Sequence, residues 1–536
     1  MSVGDRVHTV RTLAEAGVIG PVRPDKLLRI GQALRRFGPT PAAGYAASDI
    51  RHPDRSAIVD ELGSLSFREV HRRTNALAHA LADRGIVEGD GIAIMCRNHR
   101  SFIEATVASS KLGADALYLN TSFAGPQITE VVKRENPRAI VFDEEFSELV
   151  GDAARRRKRF IGWHGEGKLS DPTLEQLVEE GDPEDVVAPG ERGKAVILTS
   201  GTTGAPKGAS RKQPESLDPA AALLSKIPLR SREPTMIAAP LFHSWGFAHF
   251  SLALGLGSTL VLRSKFEPEE TLSATAQHQC TALVVVPVMV QRILELPPET
   301  IDRYDLAALR VIAISGSALS PSLAERAMER FGDVLYNLYG STEVAWAAIA
   351  TPEDMRAAPG SVGKPPRGTT LKIYDEEGSQ EVEQGETGRI FVGNDMLFEG
   401  YTGGGSKDVI DGLMATGDVG HLDEGGRLFV DGRDDEMIVS GGENVFPQEV
   451  EELLAGHDDV ADVAVVGVED EEFGQRLRAV IVKRKGAKLG EKDVKEHVKR
   501  NLAGYKVPRD VVFAQELPRT STGKVLKREL ADDDED

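Results

Sequence analysis

Apolar and polar positions alternate along the first third of the chain in a way that predicts strand and helix in turn. "SAIVDELGSLSF" (56 to 67) reads as a hairpin. Ser66 followed three residues later by Glu69 forms a capping-box pattern, and it opens a helix with Val70, Thr74, Leu77 and Leu81 on one face. Next come the apolar run "GIAIMC" (91 to 96), a helix from about Ser101, "ALYL" (116 to 119), a helix near 126 to 135, and "AIVF" (139 to 142). This βαβαβ order predicts an open, mostly parallel sheet. The alternation returns with "STLVL" (258 to 262), a helix near 268 to 279, "TALVVV" (281 to 286), "RVIAIS" (310 to 315) and "VLYNLYG" (334 to 340). From about Gly360 the pattern shifts to short β runs between Gly and Asp turns, and beyond Gly432 a small α+β pattern follows. The expected fold is α/β: a large N-terminal body of two α/β layers with a β-rich subdomain (1–433), and a small mobile α+β C-terminal domain (434–536).

Between the two alternating regions, the strand "AVIL" (195 to 198) runs into "TSGTTGAPKG" (199 to 208). Glycines after a strand turn several backbone N–H groups into one concavity, and hydroxyls with an ammonium added suit a phosphate chain. The order differs from a P-loop, because Lys207 lies between Pro206 and Gly208 and the hydroxyls of Thr199, Ser200, Thr202 and Thr203 precede it. The alternative is a surface loop of turn-formers. Composition narrows the field further. A net charge of −20 argues against general nucleic-acid binding. The sequence holds two cysteines, Cys96 and Cys280, which exclude a disulfide scaffold and point to a reducing compartment. With no signal peptide and no long apolar run, a cytoplasmic protein is expected.

Taken together, "TSGTTGAPKG", "AAPLFH" (238 to 243), "NLYGSTE" (337 to 343), "ATGD" (415 to 418), "GRDDEMI" (432 to 438), "SGGENVFPQEVE" (440 to 451) and "PRTSTGKVLKREL" (518 to 530) resemble the ordered signature of the adenylate-forming superfamily. That superfamily includes acyl-CoA synthetases, luciferases and peptide-synthetase adenylation domains. The resemblance implies that a carboxylate attacks the α-phosphate of ATP, giving acyl-AMP and pyrophosphate, after which a thiol displaces AMP. It places the β- and γ-phosphates on Thr199, Ser200, Gly201, Thr202, Thr203, Gly204 and Lys207. Tyr339 would stack on adenine, Asn337 would bond its amino group, Gly340 would adjoin them, and Gly316, Ser317 and Ala318 would line the other face. Thr342 would meet the α-phosphate, and Glu343 would hold Mg²⁺, a hard cation suited to carboxylate oxygen. Asp418 and Arg433 would bind the ribose hydroxyls. Lys524 would bridge the attacking carboxylate and the phosphate, a task for a flexible ammonium with three donors. His243 would guard the carboxylate site.

The resemblance also implies a second arrangement, in which the C-terminal domain turns about a hinge at Asp435 and brings Gly441, Gly442 and Glu443 to the pantetheine tunnel. Arg476 and Lys506 are candidate contacts for the CoA phosphates. For the acid, "HSWGFAHFSLALGLGSTLVL" (243 to 262) contains no carboxylate to pair an amino-acid ammonium. Its Trp245, Phe247 and Phe250 suit an apolar tail, although the same pattern describes an ordinary buried helix. The expected substrate is a medium- or long-chain fatty acid, since the closest likeness is to actinobacterial-type fatty acyl-CoA synthetases; ATP and CoA would be co-substrates. "DGLMATGD" (411 to 418) departs from the Trp- and His-bearing form usual in fatty-acyl members and leaves chain length open. The alternatives are an aryl or other small acid, a luciferase-like oxygenase, and a non-catalytic sensor of ATP or acyl-AMP. Finally, "PDKLLRIGQALRRFG" (24 to 38) carries Leu27, Ile30, Leu34 and Phe37 on one face among basic residues. It could dock on its own domain or graze an anionic membrane.

Overall fold

The computed structural model describes residues 3–531 except 168, 201–205, 211–215, 376, 377, 379, 403, 434–437, 446, 519–524 and 526. The architecture is the expected α/β body with a smaller C-terminal unit. The hairpin forms between Ser56–Asp60 and Gly63–Ser66. Ser66 then accepts the Glu69 N–H while the Glu69 carboxylate accepts the Ser66 N–H, capping the helix Phe67–Asp83. That helix buries Val70, Thr74, Leu77 and Leu81, the face that the 3.6-residue period selects.

Two large sheets carry the body. The first has seven strands, in the order 400–401, 206–210, 195–200, 115–118, 91–95, 139–142, 158–161. Its parallel centre ends in the antiparallel pair Ala195–Ser200 and Pro206–Ser210. The two ends of the glycine-rich segment therefore pair with each other, Thr199 opposite Lys207 and Ser200 opposite Pro206, a link between them that the sequence had not shown. The second sheet has eight strands, in the order 348–350, 335–339, 311–314, 282–285, 235–237, 260–262, 56–60, 63–66. One continuous core joins helices and strands of both sheets, from Leu77, Ile92 and Phe102 to Leu260 and Val284.

The β-rich region forms a five-stranded sheet of 370–374, 388–393, 413–422 and 409–410, with 428–433 paired to 413–422. The C-terminal sheet contains 443–445, 438–440, 474–483, 460–470 and 510–514, covered by the helices Pro447–Ala455 and Glu491–Asn501. Both cysteines are free and buried. Among the described residues, no helix is long and apolar enough to cross a membrane.

The helix Pro24–Phe37 keeps Phe37 of its expected face inward but leaves that face's leucines outside. It buries Ala33 and Phe37, while Leu27 and Leu34 are 61% and 47% exposed. Pro24 opens the helix, and Phe37 anchors its far end in the core.

Candidate active site

A single cleft of about 1550 Å³ runs from the C-terminal ends of strands Val311–Ile314 and Leu335–Tyr339 to the N-terminal helices. These strands are parallel neighbours, with Ile314 opposite Asn337, so the residues that follow each strand stand side by side. Ser315, Gly316, Ser317 and Ala318 line one wall, and Asn337, Tyr339, Gly340 and Thr342 line the next. Gly316 has φ +100°, a backbone conformation that glycine adopts without penalty. At Gly340 a side chain would stand 2.3 Å from the Ala345 carbonyl oxygen, so the turn after the strand closes only with glycine there.

Asp418 joins this end of the cleft from the long strand Leu413–Leu422. Its N–H donates to the Thr416 hydroxyl at 3.1 Å, and its carboxylate accepts the Tyr339 hydroxyl. A buried carboxylate bonded in this way is aimed before any ligand arrives. Across the same sheet, Arg433 is the register partner of Asp418, which brings its backbone to the ribose corner proposed from the sequence. The Arg433 side chain lies outside the described residues.

Glu343 follows the same strand by a short turn. Its carboxylate accepts the Tyr401 hydroxyl at 2.7 Å, and the Lys207 ammonium lies over the Tyr401 ring, 5.3 Å from its centroid. Lys207 is held beside Thr199 by the antiparallel register. An ammonium, a phenol and a carboxylate from three segments therefore form one chain at the mouth of the hairpin. Tyr401 has no motif of its own in the sequence; its link to Glu343 arises because strand Gly400–Tyr401 pairs with the strand that carries Lys207. The side chains of Thr199 and Ser200, and all of Gly201, Thr202, Thr203, Gly204, Asp435 and Lys524, lie outside the described residues.

His243 stands at the N-terminus of helix Ser244–Leu256 and lines the cleft. Desolvation pulls its pKa down to about 4, so the imidazole is neutral at physiological pH. Beyond it, Trp245 and Phe247 line the cleft, with the Trp245 indole N–H donating to the Val285 carbonyl at 3.0 Å. Phe247 packs on Tyr118 at 4.9 Å between ring centroids. Phe250 departs from the sequence expectation. It is fully buried in the core behind the cleft wall, edge-on to Phe247 with ring centroids 5.7 Å apart, on a helix that is apolar on every side. The cleft then continues past Thr106, Ser110, Leu223 and Leu224 to Leu13 and Leu34. Those last two belong to N-terminal helices that the sequence did not connect with the site.

The C-terminal unit closes the other side. Gly442, with φ +85°, lies against Gly316: a side chain on Gly442 would stand 3.6 Å from the Gly316 carbonyl oxygen. Gly441 sits one residue back, where a side chain would meet the Phe473 ring at 2.8 Å. Arg476 lines the cleft and is braced by the Asp510 carboxylate and the Glu469 carbonyl. Lys506, a candidate for the CoA phosphates, and Glu443, expected at the pantetheine tunnel, have partners within the protein in this arrangement. Lys506 is fully buried in an ion pair with Glu449, and Glu443 accepts two hydrogen bonds from Asn120. A lysine sealed in that pair presents no ammonium to a phosphate in this arrangement.

The comparisons fit this geometry. The pattern of AMP-binding enzymes matches residues 46–402, and that of the AMP-binding enzyme C-terminal domain matches 449–524. The indoleacetate–CoA ligase of Aromatoleum aromaticum is 33% identical over 488 residues, 89% of this chain and 95% of the relative. A feruloyl-CoA synthase of an Amycolatopsis species is 32% identical over 483 residues, 89% of this chain and 96% of the relative. Both are named for aromatic acids, whereas the sequence pointed to fatty acyl-CoA synthetases. Among solved structures, a double mutant of the o-succinylbenzoate CoA synthetase of Bacillus subtilis, bound with the product analogue OSB-NCoA, aligns with a TM-score of 0.78 at 26% identity. The same enzyme in complex with the acyl-adenylate OSB-AMP aligns at 0.65 and 26% identity, and each comparison covers 91% of this chain and 98% of the other. The chain belongs to the AMP-binding enzyme family, among its carboxylate–CoA ligases.

Proposed function

We propose that the protein activates an aromatic carboxylic acid with ATP and passes the acyl group to CoA. In the first step a carboxylate oxygen bonds to the α-phosphorus as the bond to pyrophosphate breaks. In the second, the CoA sulfur bonds to the acyl carbon, the bond to AMP breaks, and the thiol proton passes to solvent. The observation that carries the aromatic reading is the wall just beyond His243, where Phe247 faces the cleft backed by the buried rings of Tyr118 and Trp245 without a charged group among them. Stacked and edge-on aromatic contacts favour a flat ring over a flexible chain. The names of the similar ligases support the same choice. A fatty acid is the second reading, favoured by the leucines that continue the cleft outward.

The residues divide the work by position. Asn337, Tyr339 and the segment Gly316–Ala318 would take the adenine, and Asp418 with Arg433 the ribose. The hairpin 199–208 would hold the departing phosphates, and Thr342 the α-phosphate. Glu343 offers carboxylate oxygen next to Lys207, a donor that suits Mg²⁺, which when bound would neutralise phosphate charge. Little covalent chemistry is asked of the protein, so rate comes from alignment and charge. His243, kept neutral by its surroundings, would wall the carboxylate off from water without competing for it as a cation. Lys524 would supply the moving ammonium of the first step. The unit 434–536 would alternate about Asp435, and Gly442 against Gly316 fits the thiol-transfer arrangement. The higher TM-score to the product-analogue complex supports that assignment.

The test is a panel of aryl, arylalkanoic and fatty acids scored for pyrophosphate release, and for AMP release with and without CoA. Thioester from aryl acids in a CoA-dependent second step is expected. Oxidised, light-emitting product, or binding of ATP without turnover, would replace this reading with the luciferase-like or sensor alternative.

A further inference from the structure

The N-terminal body meets the C-terminal unit along a seam formed by residues 120–124 and helix Gly125–Glu135, where Ala503 shares an apolar cluster with Val196 of the strand Ala195–Ser200. Two side-chain amides of the N-terminal body span it. Asn120 accepts the Ser122 N–H through Oδ1 at 2.8 Å, which fixes a turn, and donates from Nδ2 to both carboxylate oxygens of Glu443 at 3.2 Å. Gln127 repeats the design at the start of helix Gly125–Glu135. Its Oε1 accepts the Ala124 N–H at 3.2 Å, and its Nε2 donates to Glu449 at 3.1 Å. Each amide thus spends its acceptor inside one body and extends its donor to a carboxylate of the other.

The rest of the seam follows these two points. Glu449 also takes the buried Lys506 ammonium. The Gly504 N–H donates to the Ser122 carbonyl at 3.3 Å, and Ala503 is fully buried in an apolar cluster with Phe123, Ile128 and Val131. Glu443 immediately follows Gly442, whose backbone closes on Gly316.

We propose that Asn120 and Gln127 are positioning residues for thiol transfer: a two-point latch that holds Glu443 and Glu449 and so seats Gly442 at the cleft. The proposal rests on the two-step ligase reading above. The latch is sensitive to protons. Burial raises the Glu443 carboxyl to about 7, against the Asn120 bond and the Lys506 ammonium, which favour its charged form. The buried Tyr505 phenol feels both carboxylates, and Glu130 faces Glu449 as a further negative charge. A carboxyl whose pKa is higher when docked than when released favours docking as pH falls through about 7, and weakens it as pH rises.

Asn120→Asp and Gln127→Glu test this, since each keeps the oxygen that caps its own segment and replaces only the donor that crosses the seam. Amide hydrogen exchange in the full-length protein, without substrate, reads docking at Gly504, and the strand Leu260–Leu262, paired on both sides within the N-terminal body, reports whether that body stays folded. At about pH 8 each variant is expected to exchange about tenfold faster than the wild type at Gly504, with Leu260–Leu262 unchanged. At about pH 6, where one proton can bridge the facing carboxyls, the ratio should narrow. Transfer of the acyl group from supplied acyl-AMP to CoA should slow in parallel while pyrophosphate release stays normal. Unchanged exchange at Gly504 in both variants, or equal losses in both half-reactions, would overturn the latch. Faster exchange in the variants of a wild type that forms no thioester would uphold the latch and overturn the ligase reading.

Discussion

At the end of the cleft proposed for the nucleotide, Ser315–Ala318 and Asn337–Gly340 stand at the ends of two hydrogen-bonded parallel strands. At the end proposed for the acyl group, Thr106, Tyr118, Leu223 and Phe247 meet from separate elements, with Leu13 and Leu34 arriving from the N-terminal helices. The first wall is largely backbone, fixed by strand pairing and by glycines that allow close approach. The second is a volume assembled from side chains. A wall of the first kind serves one generic ligand and tolerates little change, while a wall of the second kind can be reshaped by single substitutions without disturbing the fold.

That contrast can be broken most sharply at the chemistry itself. Lys524→Ala should slow acyl-AMP formation on the order of 10²- to 10³-fold for every acid alike, while sparing thioester formation from supplied acyl-AMP. Separate assays of the two half-reactions check it, and a loss that varies with the acid would mean that Lys524 belongs to the acyl end. The next test sharpens the contrast from the other side. Ala248 lines the cleft beside Phe247, so Ala248→Trp should shift kcat/KM toward smaller acids by about tenfold, with the KM for ATP unchanged. The neighbouring Gly246 is unsuited to such a test, because any side chain there would stand 2.2 Å from the Pro240 carbonyl oxygen.

The smallest expected effect is at the junction of the two ends. His243 is held near 4 by desolvation, so it should contribute no step to the pH profile of acyl-AMP formation between about pH 5.5 and about pH 8. Its linkage to stability has a definite sign. The unfolded histidine binds a proton from about pH 6.5 downward while the folded one does not, so this contribution is lost as pH falls from about 6.5 toward 4. Comparing the melting temperatures of wild type and His243→Gln across that range measures it.

Legibility in the sequence followed the same division. The capping box of Ser66 and Glu69 and the alternation of strands and helices could be read directly, because each is written within a few consecutive residues, and the segments that the resemblance marked, 316–318 and 337–342, line the cleft. The acyl end could not. A helix apolar on all sides gives no signal that Phe247 faces the cleft while Phe250 faces the core. Tyr401 reaches Glu343 only through a strand pairing between distant segments. Lys506 read as a candidate contact for the CoA phosphates, because nothing local in the sequence shows that it is buried against Glu449 of a separate helix. On the substrate class the sequence pointed to fatty acids while the similar ligases are named for aromatic acids, and an apolar segment read from sequence carries no signal that separates a ring from a chain.

The direct measurement of the central claim is a competition in one vessel, with ATP, CoA and equal concentrations of an arylalkanoic acid and a medium-chain fatty acid, followed by identification of the thioesters. The ring-lined cleft predicts that the aryl-CoA thioester forms in clear excess. A predominance of the fatty acyl-CoA thioester would contradict it.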